Sequence, residues 1–169
     1  MTSFLAYVWV PGSDVPGVLR RFVDRYVAAE QPVYQRPLAA LLRTYVDLDP
    51  AEGDEAELAD ARRNPEAVHG FSIYLRGAVH DEAIITLTEE SDLVLGLGID
   101  DRDESPEAWD EAVHLLDHLM GEFDAVSGMA GGDWVRPPQS ALAWVDEEPD
   151  LRVGRDLRPL IEPPSSHSP

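Results

Sequence analysis

Two residue types are missing altogether from this 169-residue chain: it has no cysteine and no lysine, so all 13 basic side chains are arginine. The lack of sulfur excludes disulfide frameworks, thiolate zinc sites and cysteine nucleophiles. The lack of a lysine amine excludes Schiff-base catalysis and the phosphate-binding P-loop. Nucleophile elbows of the form Gly-x-Ser-x-Gly and dinucleotide loops of the form Gly-x-Gly-x-x-Gly are missing too, since Gly96-Leu97-Gly98 falls inside a strand pattern. No run approaches the roughly eighteen apolar residues a membrane span needs. The first ten residues lack the basic n-region of a secretory leader, so a cytoplasmic protein is expected. No cofactor is expected.

What the chain has in excess is acid. Thirty-three acidic residues give a formal charge of −20, and the excess is concentrated: residues 49–150 hold five arginines against twenty-seven acids. Such a surface repels nucleic-acid phosphates and anionic lipid, which excludes both as partners unless a separate basic face exists. Arg20, Arg21 and Arg25 are the one candidate patch, diluted by Asp14, Asp24 and Glu30. Solubility alone is served by net charges of about 2–8 in a small domain. The surplus therefore points to a basic protein partner, because a negative field steers encounter with a cationic surface.

Hydrophobic periodicity orders the chain. Phe4–Val10 reads as a buried strand stopped by Pro11-Gly12, and a helix follows from Val15, capped by Ser13 or Asp14, with apolar positions recurring through Val27 and an end at Gln31-Pro32. A second helix is expected over 37–46. Residues 50–63 place acids first and arginines last, as a helix dipole prefers, in a peripheral helix or loop. The period then changes to two for strands around Phe71–Arg76, Ala83–Thr88 and Leu93–Ile99, joined by turns short enough for antiparallel hairpins. Gly96 and Gly98 share one face, where a helix or another backbone is expected to come close. Ser105 and Pro106 open the strongest helix, with an apolar stripe from Trp109 to Phe123. A strand over 125–129 and an edge strand over Ser140–Val145 complete the pattern. The expected architecture is a two-layer α+β domain over residues 1–150, a mostly antiparallel sheet with helices on one face, for which a ferredoxin-like variant is one arrangement. Residues 151–169 form an Arg, Pro and Ser-rich tail, expected to be disordered at its end.

Few residues suggest chemistry. His114 and His118 stand one turn apart, with Glu111 a turn earlier, as weak candidates for a metal site. The segment resembles the H-x-x-E-H motif of inverzincin metallopeptidases, but Asp117 occupies the place of the catalytic glutamate, and the helix turns Glu111, His114 and His118 away from its apolar stripe. His69 and His80 flank the first hairpin strand and could act as acid and base. The run Asp100, Asp101, Asp103, Glu104 lacks the glycine and terminal glutamate of an EF-hand loop. The tryptophans read as core or edge packing, except Trp134, which with Arg136 is a loop pair of the kind that anchors interfaces.

The favoured reading is thus a non-catalytic binding protein whose contact surface combines Asp100, Asp101, Asp103 and Glu104 with Trp134, Arg136, Asp146, Glu147 and Glu148. In size, acidity and α+β pattern it is similar to the immunity proteins encoded beside bacterial toxins, a resemblance of composition that implies neutralisation of a basic partner. The alternatives are a small hydrolase or isomerase using histidine and carboxylates, and a homodimeric scaffold joined through a sheet edge or the 37–46 helix.

Overall fold

In a computed structural model of the chain, residues 2–28, 35–60, 70–101, 106–132 and 136–161 are described. Strand β1 (Thr2–Val10) alternates small or aliphatic residues with larger ones, and both sets are buried. Helix α1 (Val15–Tyr26) starts at Asp14, whose carboxylate accepts the Gly17 N–H at 3.2 Å. Helix α2 (Gln35–Tyr45) and the short α3 (Asp54–Ala59) follow. The segment read as a peripheral helix or loop is therefore helical over part of its length. A bidentate pair fixes it: Arg43 Nε and Nη2 meet the two oxygens of buried Asp54 at 2.8 and 2.7 Å, and Ala51 N–H adds a third bond. The arginine holds the Asp54 carboxyl down at about 2.

Strands β2 (Phe71–Arg76), β3 (Glu82–Leu87) and β4 (Leu93–Asp101) form the expected antiparallel meander, and α4 (Pro106–Glu122) leads into β5 (Ser127–Gly132). The sheet order is β2-β3-β4-β1-β5-β6, with every neighbouring pair antiparallel. The four strands β3-β4-β1-β5, with α1 and α4 as crossovers, follow a split β-α-β plan, to which β2 and β6 are added at the edges. Helices α1, α2 and α4 cover one face of the sheet through Val18, Leu19, Phe22, Leu41, Leu116, Leu119 and Phe123. This is the two-layer α+β architecture that the periodicity implies.

Three details differ from the sequence expectations. Residues Ala141–Asp146 form a helix, α5, and not an edge strand. Six residues satisfy either period, and here Ser140 caps the helix by accepting the Ala143 N–H at 3.1 Å while Ala141 and Trp144 turn inward. The sheet also continues beyond residue 150, since β6 (Leu151–Gly154) pairs with β5, and a 3-10 turn at Arg158–Leu160 follows. Residues 162–169 lie outside the described ones. Finally, the space over Gly96 is filled by the ring of Tyr7 from the neighbouring strand, and that over Gly98 by Leu5 and Glu82; α4 instead makes its close approach at Gly128.

The second sheet face is covered only in part. Leu5, Tyr7 and Trp9 project there, and Trp144 packs edge-on against Trp9 at 5.6 Å. The segment 136–140 crosses to the β3–β4 turn, where Glu89 N–H donates to the Gln139 carbonyl at 2.8 Å. Beneath it Gln139 Nε2 bonds Ser72 Oγ, which is bonded to Thr86 Oγ1, a buried and satisfied polar group. These contacts close the end of the face that carries the β3–β4 turn. The opposite end, beside the β2–β3 turn, stays open.

A methyl group at Gly96 would lie 2.5 Å from the buried Tyr7 ring. Gly96→Ala is expected to cost about 1–3 kcal/mol, the usual penalty of overpacking; a denaturation curve unchanged from the parent would contradict this packing.

Candidate functional site

The open end of the second face holds a concavity of about 290 Å3 lined by Ser3, Leu5, Asp81, Glu82, Gly98, Ile99 and Asp100. Strand register assembles it. Glu82 starts β3 opposite Gly98 of β4, and Asp100 lies two residues further along, opposite Ser3 of β1. Asp81 closes the β2–β3 turn, and its Oδ2 accepts the Asp100 backbone N–H at 2.8 Å. Three carboxylates therefore border the apolar side chain of Leu5. Desolvation raises the carboxyl of half-buried Glu82 above the ordinary range, and Arg76 of β2 stands opposite it in the register. On the same face β2 presents Tyr74, 46% exposed, and the adjoining turn presents Val79, 73% exposed.

Of the residues singled out in the sequence, Asp100 belongs to this concavity and Asp101 ends β4. Asp103, Glu104 and Trp134 lie outside the described residues, as does His69. Arg136 is exposed and precedes the buried Pro137-Pro138 pair. Asp146 ends α5 and Glu147 and Glu148 follow it next to β6, where the Glu147 carbonyl accepts a 2.6 Å bond from Arg152. Strands β1 and β5 intervene between β4, which carries Asp100, and β6. They do not form one cluster. The structure joins Asp100 to Asp81 and Glu82, which the sequence reading passed over. The available signal was the β3–β4 register, since a short turn fixes which residue of β3 faces Gly98.

His114 and His118 are placed apart from this concavity. His114 and His118 are exposed on α4, and His118 Nε2 lies 3.2 Å from Glu122 Oε2. Glu122 also binds Arg25 Nη1 at 3.0 Å and accepts the Tyr26 hydroxyl proton, tying α4 to α1. Burial and the adjacent Glu122 push the Tyr26 phenol above its usual range. Among the described residues no three histidine or carboxylate groups converge as metal ligands, so Glu111, His114 and His118 are not assembled into a metal site. His80 occupies the β2–β3 turn.

No family model matches the chain, and no curated protein matches it.

Because the Glu82 carboxyl is raised in the folded state, its ionised form at neutral pH costs stability. That cost disappears as pH falls toward 4.5, its ordinary value. Glu82→Gln is expected to melt about 1–2 °C above the parent at pH 7, a small effect because the group is half exposed. The gain should vanish at pH 4. Identical melting temperatures at pH 7 would contradict the desolvation of Glu82.

Proposed function

We propose that this chain is a non-catalytic acidic binding protein that neutralises a basic protein partner, in the manner of an immunity protein or inhibitor. The observation that carries the reading is the partly desolvated Glu82 beside Asp81 and Asp100 on an open sheet face. An ionised group held in partial burial is disfavoured in the free protein and is stabilised when a partner supplies a cation. Arginine suits the concavity best. Its guanidinium can bridge carboxylates, and its aliphatic stem can lie on Leu5.

The surroundings support a protein partner. Tyr74 and Val79 add exposed apolar surface next to the carboxylates, the combination of anchor and polar rim found at interfaces. The net charge of −20 supplies long-range attraction toward a basic surface. Neutralisation follows if the partner uses the same cationic surface for its own activity, because the bound chain then covers it.

The test is reconstitution with the basic protein that copurifies from the native host, followed by titration calorimetry in low and high salt. Affinity is expected to fall at least about tenfold between 50 and 500 mM salt, and Glu82→Gln should weaken binding at low salt. A neutral or acidic partner, or an affinity indifferent to salt, would overturn the reading.

A further inference from the structure

Strand β6 ends the sheet on the side away from β2. The bond from Arg155 N–H to the Val126 carbonyl, 2.7 Å, and the register of β6 on β5 turn the peptide groups of Leu151 and Val153 toward β5. Those of Arg152 and Gly154 consequently point away from the sheet, and among the described residues no strand pairs with them. The Arg152 side chain does not block this edge. It folds back over α5, where Nη2 binds the carbonyls of Trp144, Val145 and Glu147 at 2.8, 3.2 and 2.6 Å.

A concavity flanks the edge on each side of the sheet. Between α4 and β6 lies one of about 410 Å3, floored by Val113, Leu116, Met120, Leu151 and Val153. On the α5 side lies one of about 400 Å3, where Arg152, Arg155 and Arg158 stand against the single carboxylate of Asp156. Arg155 is exposed and makes no ion pair among the described residues. In the lining of this concavity arginines outnumber carboxylates three to one, while Asp146, Glu147 and Glu148 stand next to the same strand. An unpaired strand edge accepts a further strand, whose side chains alternate between the two sides.

We propose that the β6 edge is a strand-addition site for an extended partner segment that alternates apolar and acidic side chains. The apolar residues would enter the α4 groove, and the carboxylates would meet Arg155 and its neighbours. This site is separate from the Asp81, Glu82 and Asp100 face and does not depend on the reading of that face.

Fluorescence polarisation with two labelled heptapeptides tests it, one of sequence Val-Glu-Leu-Glu-Val-Glu-Leu and the other with lysine replacing each glutamate. The overall charge of the protein favours the lysine peptide, so the comparison separates local from global electrostatics. The glutamate peptide is expected to bind about tenfold tighter. Methylating alternate backbone nitrogens of that peptide should abolish binding, and Arg155→Glu should weaken it about tenfold. Val113→Asp, which places a charge in the apolar groove, should weaken it as well. Glu82→Gln should leave peptide affinity unchanged, which keeps this test independent of the cationic-partner reading. Preference for the lysine peptide, no saturable binding of the glutamate peptide up to about 1 mM, or indifference to Arg155→Glu in a normally folded variant would each overturn the proposal.

Discussion

Burial of β1 on both faces is the constraint from which the rest of the architecture follows. Ala6, Val8 and Val10 must be covered by the helix layer, while Leu5, Tyr7 and Trp9 need cover of their own on the other side. The strand is held between β4 and β5, and its end is pinned by Asp92, whose carboxylate accepts from Trp9 Nε1 at 3.0 Å and from Gly12 N–H at 2.8 Å. Trp9 therefore has to be enclosed along with its hydrogen-bond partner. Trp144 on α5 provides that enclosure, and the chain after β5 crosses the sheet to bring it there. Since α5 is only six residues long, its cover stops partway down the sheet. The uncovered remainder is the face that holds Glu82.

Much of this was legible in the residue pattern. A period of two in β2, β3 and β4 and a broad apolar stripe in α4 leave few alternatives, because one face of each must be buried. The short turn at Glu89–Asp92 makes the hairpin unavoidable. What escaped is the part decided by tertiary contacts. Ala141–Asp146 has too few residues to distinguish the two periods, and its helical state depends on Trp144 reaching Trp9. Strand β6 is read as tail because Leu151 and Val153 are its only apolar residues, and they acquire a role only where α4 and β5 already stand. The glycine pair at 96 and 98 was legible as a place of close approach, but Tyr7 and Leu5, which fill much of it, come from the distant strand β1.

The acidic candidates illustrate the difference between a charge run and a site. Asp100 and the Asp146–Glu148 run are equally acidic in sequence, yet they border different strands and face different neighbours. Glu82, a single carboxylate in an otherwise apolar strand, is the one that burial perturbs. Partial desolvation, and not the number of charges, separates a group prepared for a partner from a solvated one. At β6 three arginines line a concavity beside an open strand edge, with the Asp146–Glu148 run next to the same strand. Net charge steers encounters, but local geometry determines what each surface holds.

The central claim is that partial burial disfavours the ionised form of Glu82 in the free protein and that a cationic partner stabilises it. Its carboxyl titration, followed by 13C NMR in the free protein and in the complex with the purified basic partner, tests this most directly. The expected result is a midpoint above the ordinary 4.5 in the free protein that falls below that value in the complex. An ordinary midpoint in the free protein, or one that does not move on binding, would contradict the account.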